Sequence, residues 1–163
     1  MAKKVAVLMG SKSDLPKLEA CIETLKSLQL ETEVRVMSAH RTPEIVGSFA
    51  NQAEANGFGV IIAAAGGAAH LAGVVAAHTL LPVIGIPIEN GAFKGLDALL
   101  STVQMPGGIA VATVGVGSGG AMNAALLAAQ MLSLSDPALR ERLAADRAAR
   151  KAKVIEADQE LQQ

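Results

Sequence analysis

The chain predicts a three-layer α/β domain, a five-stranded parallel sheet with helices on both faces and an extended helix at its C-terminal end. Three observations carry this. Short apolar runs alternate with longer segments of helical periodicity five times in order. Four of the five runs are almost uniformly apolar, as strands covered on both faces must be. No linker, low-complexity tract or long-period repeat divides the 163 residues, so 1–163 reads as one domain.

The runs are "VAVLMG" (5–10), "EVRVMS" (33–38), "GVIIAAAGG" (59–67), "PVIGIPI" (82–88) and "GIAVATVGVG" (108–117). Between them the pattern predicts helices over 15–28, 43–56, 69–80, 92–103 and 119–133. Asp14 before Pro16, Thr42 before Pro43 and Asp136 before Pro137 offer cap and first-turn chemistry. Gly57 stands where a left-handed C-terminal residue is expected. Five strand–helix units in series imply right-handed crossovers and a Rossmann-like or flavodoxin-like order. Residues 1–134 form the core. The tail, 135–163, is a charged, strongly helix-forming segment with sparse apolar positions at Leu139, Leu143, Val154, Ile155 and Leu161. It admits a solvated helix packed on its own domain or a helix reaching a neighbouring subunit, and the latter is the expectation.

Composition narrows the function. Fourteen basic against fifteen acidic residues give a formal charge of -1, which argues against a nucleic-acid binder relying on a positive field. Trp and Tyr are absent, so base-stacking platforms are not expected. The lysines at the start precede an apolar run too short for a secretory signal, and no stretch reads as a membrane span, so the expectation is a cytoplasmic protein. Cys21, the lone cysteine, reads as a buried small side chain. Hydrophobic residues make up 51%, a surplus that points to buried subunit contacts.

In an open parallel sheet, ligands bind beyond the carboxyl ends of the strands. The first three strands end in "GSKSD" (10–14), "SAHRT" (38–42) and "AGGAAH" (65–70), and these loops should meet in one cleft. The first offers backbone N–H groups and the hydroxyls of Ser11 and Ser13 to a phosphate, with Asp14 suited to sugar hydroxyls. Simple helix capping by Ser13 and Asp14 is the competing account. It lacks the Gly-Lys-Ser/Thr ending of a nucleotide triphosphate loop and the G-x-G-x-x-G of dinucleotide sites. In the second, Arg41 suits a bidentate phosphate contact, and His40 is the candidate proton carrier near neutral pH, with a structural role as the alternative. In the third, Gly66 and Gly67 let backbone approach a ring or carboxylate. His70 either lines the site or holds the loop, and His78 reads as a packing or capping residue. No metal-ligand spacing and no G-x-S-x-G elbow occurs.

Taken together, "VLMGSKSD", "SAHRTP", "AAGGAAHLAG", "VQMPGGIAVATV" and "GAMNAALLAAQML" resemble the signature segments of the N5-carboxyaminoimidazole ribonucleotide mutase family of purine synthesis. The resemblance runs in order from about Val5 to Leu132. It implies a carboxyl migration that yields 4-carboxy-5-aminoimidazole ribonucleotide through carbon dioxide retained in the site, with no cofactor and no metal. By the same resemblance His40 is the general acid and base, and Ser11, Ser13, Asp14, Ser38, Ala39, Arg41, Gly66, Gly67, Ala68, His70 and Leu71 bind the substrate. The family's assembly is a homo-octamer. Two other readings are a related carboxylase that adds carbon dioxide directly to aminoimidazole ribonucleotide and a non-catalytic nucleotide-binding module.

Overall fold

The computed structural model describes residues 3–162; Met1, Ala2 and Gln163 lie outside the described residues. In chain order the elements are β1 (Lys4–Met9), α1 (Leu15–Ser27), β2 (Thr32–Val36), α2 (Pro43–Gln52), β3 (Phe58–Gly66) and α3 (Leu71–Ala77), followed by β4 (Val83–Ile88), α4 (Leu96–Val103), β5 (Ala112–Thr113), α5 (Ser118–Ser133) and α6 (Pro137–Leu161). A single 3-10 turn, Lys12–Asp14, precedes α1. The five strands are parallel in the order β2-β1-β3-β4-β5.

Side-chain alternation decides what lies on each face. From β1, β3 and β4, the side chains of Val5, Val7, Met9, Val60, Ile62, Ala64, Ile84, Ile86 and Ile88 point one way and pack beneath α1 and α5. Ala6, Leu8, Ile61, Ala63 and Val83 point the other way beneath α2 and α3. Both faces are covered, which is why these three strands carry almost no polar residue. The α5 residues Ala121, Ala124, Ala125 and Ala128 are fully buried, and their short side chains let that helix come close to the sheet and to α1. Cys21 sits in the same layer, and burial pushes its thiol up to about 12.

The edges depart from the sequence pattern. The expected strand over 108–117 shrinks to Ala112–Thr113, paired with β4 only at Ile84 and Gly85. Gly108 and Gly117 flank it with φ of 96° and 88°, conformations outside any strand. Pro87, lacking an N–H, lies beyond that short pairing, where no ladder bond from β5 is lost. The helix expected from residue 92 begins at Leu96, because Gly91, Lys94 and Gly95 all have positive φ. Gly57 does take the left-handed conformation, φ 85°. Of the three expected caps, only Asp136 acts as one by side chain, accepting from the Leu139 N–H at 3.0 Å.

A small cluster of Leu28, Ala129 and Leu139 anchors the start of α6, and Arg142 donates from Nε to the Leu28 carbonyl at 2.9 Å. No helix among the described residues is long and apolar enough to cross a membrane.

Candidate active site

The strand order changes direction between β1 and β3, and the crevice beyond their carboxyl ends is where such a sheet binds ligands. A cleft of about 320 Å³ lies there, lined by Gly10, Ser11, Ser13, Asp14, Ser38, Ala39, His40, Arg41, Ala65, Gly66, Ala68, His70, Leu71 and Asn90. The three loops singled out from the sequence therefore meet. Of the predicted site residues, Gly67 alone is not in the lining; its φ of 65° is in the left-handed region.

The first loop is arranged around Ser11. Its Oγ accepts from the Ser13 N–H at 3.3 Å and the Ser13 hydroxyl at 2.8 Å. Asp14 is buried, and its side chain makes no cap bond to α1. Burial raises its carboxyl above the ordinary value, against the opposing pull of the Lys17 and Arg41 cations. With no cap bond from its side chain, helix capping does not account for this burial.

The second loop is a tight turn in which Thr42 serves Ser38 rather than α2. Thr42 Oγ1 accepts from the Ser38 N–H at 2.9 Å and donates to the Ser38 carbonyl at 3.1 Å. This fixes the positions of Ala39, His40 and Arg41. Arg41 donates from Nη2 to the Gly10 carbonyl at 2.6 Å and from Nε to Ser38 Oγ at 3.4 Å. The guanidinium thus ties the first loop to the second, and among the described residues its remaining N–H groups have no partner.

His40 and His70 meet in the cleft. His40 Nε2 and His70 Nδ1 are 2.8 Å apart, and the rings stand edge to face with centroids 4.9 Å apart and planes at 86°. One nitrogen donates and the other accepts, so the pair holds a proton between two rings from different strand tips. His70 is the residue just before α3. The loop behind it is braced from α4: the Ala69 N–H donates to Ser101 Oγ at 3.0 Å, and that hydroxyl reaches the Gly67 carbonyl at 3.4 Å. Ala39 and Ala68 line the cleft, whereas Ala69 is buried beneath it. His78 ends α3 and lies over Gly47, where a Cβ would meet its ring at 3.4 Å.

Asn90 also lines the cleft, outside the three predicted loops. It follows β4, the fourth strand tip, and lies close to Gly66, where an added Cβ would meet Asn90 Cβ at 3.4 Å and the Ile88 carbonyl at 3.3 Å. The rule that ligands sit beyond strand ends applies to β4 as well, and would have found it. A larger hollow of about 670 Å³ adjoins at Glu89–Gly91 but contains no imidazole; His40 and His70 both line the smaller cleft. Among the described residues no group of three His, Cys, Asp or Glu side chains is placed to hold a metal ion.

A parallel sheet with a small-molecule cleft at its switch point, an anion-suited loop, an arginine and a histidine pair defines a nucleotide-handling α/β protein. Comparison with known proteins is more specific. The AIR carboxylase family matches residues 4–153, and the chain belongs to that family. It is 51% identical over 153 residues to the N5-carboxyaminoimidazole ribonucleotide mutase of Escherichia coli K12, covering 94% of this chain and 90% of that one. It is 54% identical over 140 residues to the enzyme of the same name from Pyrococcus abyssi, covering 86% and 79%. The crystal structure of Treponema denticola PurE superposes with a TM-score of 0.89 at 33% identity, covering 99% of both chains.

Proposed function

We propose that this protein is an N5-carboxyaminoimidazole ribonucleotide mutase acting in purine biosynthesis. One observation carries the reading beyond family membership: the His40–His70 pair opens on the same cleft as Ser11, Asp14 and Arg41. A ribonucleotide needs a phosphate clamp and a carboxylate for ribose hydroxyls, and its base must lie against an acid–base group.

The substrate's phosphate binds at Ser11, Ser13 and Arg41, and Asp14 takes the ribose. The imidazole ring lies against Gly66 and Ala68, with Ser38, Ala39 and Leu71 completing the walls. The bond between the exocyclic nitrogen and its carboxyl carbon breaks, leaving its electron pair on nitrogen, and His40 supplies the proton. Carbon dioxide stays in the cleft. Ring carbon C4, made nucleophilic by the adjacent amine, attacks it to form the new C–C bond, and the proton on C4 passes back to His40. Protons and electrons balance within one turnover. His70 holds His40 in place and can share its proton. Proton transfer by a positioned imidazole contributes about 10²- to 10⁴-fold, and retention of carbon dioxide requires that water be excluded.

In one copy of the chain the cleft is open, and large apolar residues such as Leu80 and Phe93 are exposed. These support contacts between copies of the chain, with 1–134 as the core of each subunit and the 135–163 tail in those contacts. The family resemblance makes the assembly a homo-octamer, and the cytoplasm is the compartment expected for a purine-synthesis enzyme.

Supplying each substrate separately tests the reading. The mutase converts N5-carboxyaminoimidazole ribonucleotide directly. Turnover only with aminoimidazole ribonucleotide plus bicarbonate would make the protein a carboxylase instead, and recovery of ligand unchanged would make it a binding module.

A further inference from the structure

The carboxylated ribonucleotide carries negative charge at both ends, a phosphate on the ribose and a carboxylate on the exocyclic nitrogen. Arg41 is the one Lys or Arg side chain among the described residues of the cleft lining, and it is committed to the phosphate. A carboxylate offers acceptors only, and once desolvated it must be met by hydrogen-bond donors. The carbon dioxide that follows it has no charge for a cation to hold. Neutral donors must therefore serve the migrating group.

Asn90 is placed to supply them. It lines the cleft and also the wall of the adjoining hollow. A Cβ added at Gly66 would meet the Asn90 Cβ at 3.4 Å, so the asparagine stands against the backbone that faces the imidazole ring. Its Oδ1 accepts from the Gly91 N–H at 3.1 Å. With the oxygen engaged, the amide nitrogen is left as a pure donor, and among the described residues its N–H groups have no partner. The backbone is fixed before and after it. Gly66 and Ile88 close the β3–β4 ladder, the Lys17 ammonium donates from α1 to the Glu89 carbonyl at 2.5 Å, and Gly91 turns the chain with φ of 59°. A donor held in place needs little reorganisation as charge moves past it.

We propose that Asn90 binds the migrating carboxyl group through its amide N–H groups: the carboxylate on nitrogen first, carbon dioxide next, the carboxylate on C4 last. This assignment rests on the mutase reading and extends it. The N–C bond breaks with its electron pair left on nitrogen, C4 supplies the pair for the new C–C bond, and His40 carries the proton. Asn90 donates hydrogen bonds throughout and exchanges no proton. Its contribution is retention, since an anchored oxygen keeps the carbon within reach of C4 and slows its escape to solvent.

The fate of the carboxyl group tests this. N5-carboxyaminoimidazole ribonucleotide is supplied in the presence of isotopically labelled carbon dioxide. Two quantities are read: aminoimidazole ribonucleotide released per product formed, above the breakdown without enzyme, and label entering the product. Asn90→Asp keeps an acceptor for the Gly91 N–H, so the turn survives, but puts a like charge in place of the donors. It should raise both quantities on the order of tenfold, and Asn90→Ala should raise them about two- to tenfold. Asn90→Ser keeps a hydroxyl donor and should fall between Ala and wild type. Turnover lowered in the Asp variant with both quantities within about twofold of wild type is the signature of a structural role; it overturns the assignment and leaves the mutase reading standing. A wild-type chain that forms no product from N5-carboxyaminoimidazole ribonucleotide overturns that reading and the assignment with it.

Discussion

Replacing Arg41 by Ala removes the one Lys or Arg side chain among the described residues of the cleft lining. Its guanidinium spends Nη2 on the Gly10 carbonyl at 2.6 Å and Nε on Ser38 Oγ at 3.4 Å. A guanidinium has about five N–H donors in a planar fork, so most of the fork's charge-assisted capacity is left for a phosphate. Losing a charge-assisted bond costs about 2–3 kcal/mol, which is roughly 30- to 150-fold in affinity. The phosphate takes no part in the bond changes, so the loss falls on ground state and transition state alike. Steady-state kinetics with N5-carboxyaminoimidazole ribonucleotide should show KM raised by that factor and kcat within about threefold of wild type. Arg41→Lys keeps the charge without the fork and should fall between. The Gly10 carbonyl is left to solvent, so folding stability should change by no more than about 1 kcal/mol. A KM change below about threefold, or a loss confined to kcat, refutes the placement of Arg41 at the phosphate.

Two further outcomes follow from the same geometry. Burial raises the folded-state value of Asp14 above its ordinary 3.8, so this group favours the fold below that value and ceases to as pH rises through its folded value. Asp14→Asn removes the burial cost of the charge and should raise Tm at pH 7, with the gain shrinking near pH 4, while substrate affinity falls. A lower Tm at neutral pH would mean that the carboxylate stabilises the fold. A Cβ at Gly120 would run into the Gly115 carbonyl, which is backbone and cannot swing aside. Gly120→Ala should therefore cost about 1–3 kcal/mol or more in urea unfolding, and an unchanged midpoint would show that the loop before α5 yields freely.

The central strands were legible because burial on both faces leaves a continuous apolar run; β1, β3 and β4 all show it, and their tips located the cleft. Edge strands carry a weaker signal. β5 was overestimated because the apolar run over 108–117 extends far past the two residues that find a partner, and the positive φ at its flanking glycines depends on tertiary placement. Thr42 looked like a helix cap, but its hydroxyl serves the Ser38 turn. Which of two local partners a hydroxyl chooses is decided by the turn's geometry. His40 and His70 stood out separately from their loops, while their 2.8 Å contact required the β1–β3 arrangement. Asn90 and the Ser101 brace lie outside the three motif loops. The first is read from the end of β4, the second only from packing of α4 against the loop.

The most direct test is turnover by His40→Gln with the carboxylated nucleotide as sole substrate, measured beside binding of the product. An acid–base imidazole predicts binding within a few-fold of wild type and turnover lower by at least about 10²-fold. Turnover within tenfold of wild type would contradict the account, because the proton would then be carried by another group and the cleft's chemistry would not centre on His40.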